Sequence, residues 1–152
     1  MRQVWITKKG GPEVLALKEA PDPHAGPGEV RIRVSHSGLN FADLMARMGL
    51  YQDAPPLPTV VGYEVSGTVD ELGEGVDHLT TGDRVVSLTR FGGHADVVVV
   101  PAAQVSPLPE AITFEAAAAI PVNYLTAWLM LVHLGNVQRG DRVLVHAAAG
   151  GV

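Results

Sequence analysis

The sequence contains no cysteine among its 152 residues. Disulfide bonds, thiolate nucleophiles and cysteine-ligated metals are therefore excluded. Aromatic residues make up only 5% of the chain and charged residues only 18%. The formal net charge is −5, and the lysines and arginines form no basic run. Without a positive patch to neutralise phosphates, the chain has no sign of nucleic acid as a partner.

Long apolar runs are also missing, since no segment reaches about 18 uninterrupted apolar residues. The first residues, MRQVWITKKGG, carry charges where a signal peptide needs a continuous apolar stretch. The sequence thus holds no strong membrane signal, and we expect a cytoplasmic protein. What it does hold is a globular balance, with 47% hydrophobic residues. Its length is enough for one domain with a core, followed by a remnant of another.

The first two thirds of the sequence predict β-structure. In EVRIRVS, apolar Val30, Ile32 and Val34 alternate with polar residues, which is typical of a strand with one face in solvent. Glycine, proline and aspartate turn signals separate the β-branched segments at a spacing that favours a small barrel. The predicted strands are QVWIT, LALKE, EVRIRVS, YEVSGTVDEL, DRVVSL and ADVVVV.

Helical patterns interrupt and then follow these strands. NFADLMARMG predicts a helix that Asn40 caps and Gly49 ends. TFEAAAAI, headed by Thr113, and VNYLTAWLMLVHLG, ended by Gly135, predict two more. The segment RVLVHAA, from Arg142, predicts a strand apolar on both faces, as in a parallel sheet, and a glycine turn after it. The expected fold class is therefore mainly β with α (α+β).

Four separated motifs carry a family resemblance. In chain order they are NFADLMARMGLY, GYEVSGTVDELGEGV, PVNYLTAW and VLVHAAAGGV. The second motif has Gly62, Glu64 and Gly67 in place. In this order the motifs resemble the zinc-independent quinone oxidoreductases of the medium-chain dehydrogenase/reductase superfamily, and among them the VAT-1-like branch.

The resemblance implies a domain organisation. Residues 1–121 would form a GroES-like catalytic domain, a partly open β-barrel, and residues 122–152 a linking helix with the first strand and turn of a Rossmann dinucleotide-binding domain. We accordingly expect a truncated chain. It would lack most of the Rossmann domain and the C-terminal segment that returns to complete the GroES-like domain.

The same resemblance implies that no zinc is bound. Zinc-dependent members carry a cysteine where this chain has Asn40 and a histidine where it has Tyr63, and an amide and a phenol are poor zinc ligands. We expect no metal site elsewhere either, because the histidines are dispersed without metal-binding spacing. They stand at positions 24, 36, 78, 94, 133 and 146.

Several site residues follow from the family pattern, which places Asn40, Asp43, Tyr51 and Thr126 around the cleft for the nicotinamide of NADPH. We take Asn40, Tyr51 and Asp43 as catalytic candidates, and Asn40 and Thr126 as cofactor contacts. Asn40 either binds the carboxamide or substrate, or only caps its helix. Tyr51 either donates a hydrogen bond or packs under its loop. For Thr126 the alternative is a bond to its own i−4 carbonyl.

The last motif supplies the expected phosphate contacts. Ala148 and Gly150 take the first two positions of an A-x-G-x-x-G fingerprint, with Gly151 beside them, and the third position falls one residue beyond Val152. Glu64 has a structural or cleft role by its place in the signature. Related bacterial enzymes often carry a tyrosine at the position of Met45, so the cleft wall of this chain has one polar group fewer than theirs.

These expectations define a function. The chain would be the N-terminal portion of a zinc-independent, NADPH-dependent oxidoreductase that reduces a quinone or enone by hydride transfer, inactive as this fragment. Exposed apolar surface at its cut end would make it a homo-oligomer. The alternative is a non-enzymatic VAT-1-like binding module associated with membrane trafficking.

Overall fold

The computed structural model describes all residues from 1 to 152, and seven strands dominate it. All six predicted strands up to residue 101 are present, and a short seventh was not predicted. Their bounds are β1 Arg2–Ile6, β2 Leu15–Glu19, β3 Glu29–Ser37, β4 Glu64–Leu72, β5 Arg84–Leu88, β6 Val97–Pro101 and β7 Val105–Pro107.

The strands form two antiparallel sheets. β1 pairs with β2 in a hairpin, and the other five follow the order β6-β3-β4-β5-β7. The mainly β fold with helices is confirmed, but the sheets stay open and do not close into a barrel. The backbone pairing between the hairpin and the larger sheet is limited to isolated bridges, Gln3 to Ala95 and Ile6 to Thr59.

Alternation along the strands builds the main core. Val30 and Ile32 of β3 are completely buried, as their spacing predicted. The alternating Arg31 and Arg33 form ion pairs with Asp70 on β4. A smaller cluster of Ile6, Val14, Ala46 and Val61 lies between the hairpin and the first helix. The main cluster consists of Val30, Ile32, Val65, Val69, Leu79, Val85, Val98, Val100, Ala102 and Val105.

Three helices follow the predicted patterns. They are α1 Phe41–Met48, α2 Phe114–Ala117 and α3 Pro121–Trp128. Gly49 ends α1 in the left-handed conformation, and the Thr113 hydroxyl accepts the Ala116 N–H at the start of α2. α3 continues as a π-helical segment, Leu129–Leu134, which Gly135 terminates.

The helical stretch Phe114–Leu134 has enough length and apolar character to cross a membrane. Only 17% of its most apolar 18-residue segment is buried against the rest of the chain. Length and composition are the only basis for this observation. Large apolar side chains such as Leu125 and Trp128 are about half exposed along it.

The predicted strand at RVLVHAA is wrong. Residues 142–145 form no strand, and Leu144 is 80% exposed. The physical reason is the lack of a partner, because a strand is stable only when a neighbour pairs with its backbone and covers its faces. No other segment of the chain pairs with this one.

Candidate functional site

A cleft of about 500 Å³ lies between the loop after α1 and the first turns of α3. Two expected site residues, Tyr51 and Thr126, lie in its wall. The structure thus brings together side chains that are 75 positions apart in sequence. The rest of the wall consists of Ala42, Tyr63, Leu88, Thr89, Arg90, Gln104, Pro121, Val122, Leu125 and Leu129.

The two expected wall residues present free hydroxyl groups. The Thr126 hydroxyl makes no hydrogen bond within the chain. In particular, it does not donate to the carbonyl of Val122, four residues earlier. The Tyr51 ring packs against the smaller core cluster, but its hydroxyl likewise has no protein partner. Both groups are therefore available to a ligand in the cleft.

Three aromatic rings, two of them in the cleft wall, pack edge to face. The Tyr63 ring centroid lies 6.0 Å from that of Tyr51 and 5.6 Å from that of Phe91. Burial raises the pKa of the Tyr63 phenol, and nearby acidic groups raise it further. Its hydroxyl is buried without a hydrogen-bond partner. Tyr63 therefore stays a neutral packing residue at the position where zinc-dependent relatives are expected to carry a histidine.

Asp43 lies behind the cleft wall and not in it. One carboxylate oxygen accepts the Asn40 backbone N–H at 2.8 Å, and the other accepts the Gly62 N–H at 2.9 Å. Burial raises the pKa of Asp43, against the lowering effect of these hydrogen bonds and of His94. Because both oxygens are engaged by backbone groups, the carboxylate joins the start of α1 to the loop before β4.

Asn40 occupies the N-cap position of α1, as the sequence predicted, with extended backbone angles. Its side-chain amide also reaches beyond the helix. Asn40 Nδ2 donates to Glu64 Oε1 at 2.8 Å, while Glu64 Oε2 accepts the Val122 backbone N–H at 2.9 Å. Asn40 does not line the cleft itself, and its amide is connected to the wall residue Val122 through the Glu64 carboxylate.

The glycine turn lies against the beginning of α3. Gly150 N donates to the Ala147 carbonyl at 2.7 Å, and Ala147 itself has a positive φ of 51°. Gly151 lies close to the Asn123 side chain, since a Cβ added to this glycine would come within 2.5 Å of Asn123 Oδ1. Ala148 and the two glycines are exposed and lie outside the cleft wall.

Other wall residues were not predicted from the sequence. Arg90 and Gln104 come from the chain after β5 and from a 3-10 turn after β6, and neither belongs to a recognisable motif. The only local signal is a polar residue two to four positions after a predicted strand, which is too common to identify a site. No group of three or more histidine, aspartate or glutamate side chains lies together in a way that could hold a metal ion.

Residues 26–110 match the family described as the alcohol dehydrogenase GroES-like domain. The rat synaptic vesicle membrane protein VAT-1 homolog is 49% identical over 154 residues, which cover 100% of this chain and 38% of the rat protein.

Solved structures show the same likeness. The human VAT-1 homolog-like protein superimposes with a TM-score of 0.95 at 41% identity, over 99% of this chain and 49% of that one. An Escherichia coli quinone oxidoreductase in complex with NADPH gives a TM-score of 0.81 at 36% identity, over 86% of this chain and 40% of that one. The chain spans about two fifths of the length of the curated relatives it matches.

Proposed function

Because the chain belongs to the alcohol dehydrogenase GroES-like family of the medium-chain dehydrogenase/reductase superfamily, we propose that it is the N-terminal part of an NADPH-dependent quinone or enone reductase. The observation that carries this proposal is the match to a quinone oxidoreductase solved with NADPH, combined with a cleft that holds two free hydroxyl groups. On its own the chain is expected to be inactive.

The residues of this chain fit the nicotinamide end of such a cofactor. The cleft is mainly apolar, with a few polar groups in its wall, which suits a flat ring. Asn40 and Thr126 are the proposed contacts of the carboxamide, and the turn at Gly151, which lies against the Asn123 side chain, is the proposed start of the phosphate cradle, with Ala148 and Gly150. Bound NADPH would supply the hydride.

The protein groups would act on the charge that hydride transfer creates. As the acceptor is reduced, negative charge develops on its carbonyl oxygen, and a placed donor stabilises that charge. Tyr51 is the proposed donor, because its hydroxyl is free and its ring is fixed by Tyr63. Asp43 supports the site indirectly by holding the Asn40 backbone. No metal is proposed, because an amide and a phenol replace the expected ligands at Asn40 and Tyr63.

The roles of Tyr51 and Asn40 can be tested with the variants Tyr51→Phe and Asn40→Ala of the full-length enzyme. Each should lower kcat/KM for quinone reduction, by on the order of 100-fold for Tyr51→Phe because that variant loses one donor to a developing oxyanion. Tyr124→Phe is the matched control, since that phenol is 69% exposed on α3 and outside the cleft. Unchanged kinetics for Tyr51→Phe, or an Asn40→Ala variant that loses only thermal stability, would remove these catalytic roles.

A second candidate function is a non-enzymatic binding module, and one observation favours it. The face of α3 and the π-helical segment formed by Tyr124, Leu125, Trp128, Leu131 and Val132 is apolar and exposed. Such a face is typical of an interaction surface. Flotation of the full-length protein with phosphatidylserine vesicles, without NADPH turnover, would favour this module over the enzyme.

A further inference from the structure

Glu64 is a buried carboxylate that no step of the proposed mechanism uses. It opens β4 and is only 1% exposed, although it lies directly beside the cleft. A carboxylate in such a place is costly unless its oxygens find donors. Here each oxygen has a donor, and the two donors belong to two different elements that line the cleft, the start of α1 and the start of α3.

The first donor belongs to the wall built by α1. Asn40 Nδ2 donates to Glu64 Oε1 at 2.8 Å. Because Asn40 is the N-cap of α1, this bond fixes the beginning of the helix that contributes Ala42 to the cleft. A carboxylate accepts hydrogen bonds and cannot donate them, so the amino group of Asn40, and not its oxygen, faces Glu64.

The second donor belongs to the wall built by α3. Val122 N donates to Glu64 Oε2 at 2.9 Å. The first N–H groups of a helix have no acceptor within the helix, and Pro121 has no N–H at all. Ile120, at the N-cap, makes no side-chain hydrogen bond to the helix. Glu64 therefore acts as the missing cap from a distant strand, and its negative charge suits this helix terminus.

Tight packing keeps the carboxylate in this position. A Cβ added to Gly38 would lie 2.3 Å from Glu64 Oε1 and 2.5 Å from the Ala118 carbonyl oxygen. Gly38 N also donates to the Glu64 backbone carbonyl at 3.1 Å. Gly38 thus packs directly against the Glu64 carboxylate, and hydrogen bonds in such a buried environment are strong.

We propose that Glu64 is a positioning residue that sets the distance between the two walls of the cleft, through Asn40 on one side and Val122 on the other. The inference rests on the proposed function, since the walls it separates are those that would hold nicotinamide and substrate. Thr126, one turn after Val122, and Tyr51, after α1, would then be held at the spacing that hydride transfer needs.

The first test needs no cofactor and uses the chain of 152 residues. In Glu64→Gln the side chain keeps its size but offers one acceptor instead of two. Amide hydrogen exchange measured by NMR should show the Val122 N–H, or the Asn40 side-chain amide, exchanging about 10- to 100-fold faster than in the parent. Unchanged protection of both groups would overturn the proposal.

A transposed pair, in which positions 40 and 64 exchange their carboxylate and amide groups, separates a positioning role of Glu64 from a general loss of stability. When Asn40→Asp is combined with Glu64→Gln, the amide of the introduced glutamine can donate to the new carboxylate while its oxygen accepts the Val122 N–H. Protection of Val122 should return in this double variant. In Asn40→Asp alone two carboxylates face each other, and protection should be lost. A double variant no better than the single variants would contradict the assigned geometry.

The second test measures kinetics in the full-length enzyme. Glu64→Gln should lower kcat about 10- to 100-fold with a smaller change in KM, because misplaced reactants still bind, and the transposed pair should recover part of kcat. Glu115→Gln is the control, since that exposed acid on α2 does not touch the cleft. Normal kcat in a Glu64→Gln enzyme that has lost Val122 protection overturns the positioning role. Absence of turnover in the parent enzyme overturns the proposed function instead, and the exchange measurements then decide on Glu64 alone.

Discussion

Asp43 joins α1 to the loop before β4 through two backbone N–H groups, one from Asn40 and one from Gly62. In Asp43→Asn the side chain offers one oxygen, and its amino group faces the second N–H. A buried donor left without an acceptor costs about 1–3 kcal/mol, and we expect the free energy of unfolding to fall by that amount. Urea unfolding of the parent and the variant at neutral pH measures this loss.

The pH dependence of that loss follows from the raised pKa of Asp43. The folded state binds the proton more tightly than the unfolded state, whose carboxyl has an ordinary pKa near 3.8. The contribution of this group to stability is fully present below the unfolded pKa and is lost as the pH rises through the folded pKa. Since asparagine does not titrate, the gap between parent and variant should widen as the pH falls from 7 towards 4. A gap that narrows would contradict the raised pKa.

Secondary structure elements were predicted where the signal is local. The alternation at Val30 and Ile32, the cap at Thr113 and the left-handed stop at Gly49 each depend on residues close in sequence. The prediction failed where the signal depends on a distant partner. β7 has only three residues, Val105–Pro107, and exists because it pairs with β5. The strand expected from Arg142 has no neighbour and does not form.

Close contact between β3 and β4 depends on one glycine. A Cβ on Gly67 would lie 2.1 Å from the Arg33 carbonyl oxygen, which is backbone and cannot move aside alone. We expect Gly67→Ala to separate the two strands and to cost about 3 kcal/mol, the upper part of the usual range for overpacked sites. Chemical denaturation followed by circular dichroism measures this loss.

Gly75 provides the control for that substitution. It has a positive φ of 82° with nothing within 4 Å of an added Cβ, so Gly75→Ala tests backbone conformation without any steric contact. Its cost should be about 1 kcal/mol. If Gly67→Ala is no more destabilising than Gly75→Ala, the close approach of the two strands is not essential to the sheet.

The candidate site is a property of the whole molecule, which limits what the sequence could reveal. Tyr51 and Thr126 were expected from motifs, and both line the cleft. The contact of Glu64 with Asn40 spans 24 positions and its contact with Val122 spans 58, and no local pattern reports such distances. Asp43 belonged to the right motif, but burial and its two backbone partners place it behind the wall.

We also propose that the chain self-associates through its C-terminal third, from about Thr113 onward. Trp128 and Leu131 are exposed by 52% and 39%, and the apolar residues of 143–145 have no cover. Burying such a surface against a second copy removes it from water. Light scattering at micromolar concentration should therefore show a dimer or larger species, which Trp128→Lys with Leu131→Lys dissociates.

Leu17→Lys is the control for this substitution, since that leucine is 66% exposed on the β1–β2 hairpin, outside the C-terminal third. It should leave the dimer intact. A parent chain that is monomeric at these concentrations would show that the apolar face does not drive self-association.

Turnover of NADPH by the full-length protein is the most direct test of the central claim. Purified enzyme is mixed with NADPH and a quinone or an enone, and loss of the reduced cofactor is followed by absorbance together with formation of the reduced product. We predict catalytic, stoichiometric oxidation of NADPH without added metal and in the presence of a chelator. A folded protein that oxidises neither NADPH nor NADH with any of these acceptors, or that turns over only when zinc is supplied, would contradict this claim.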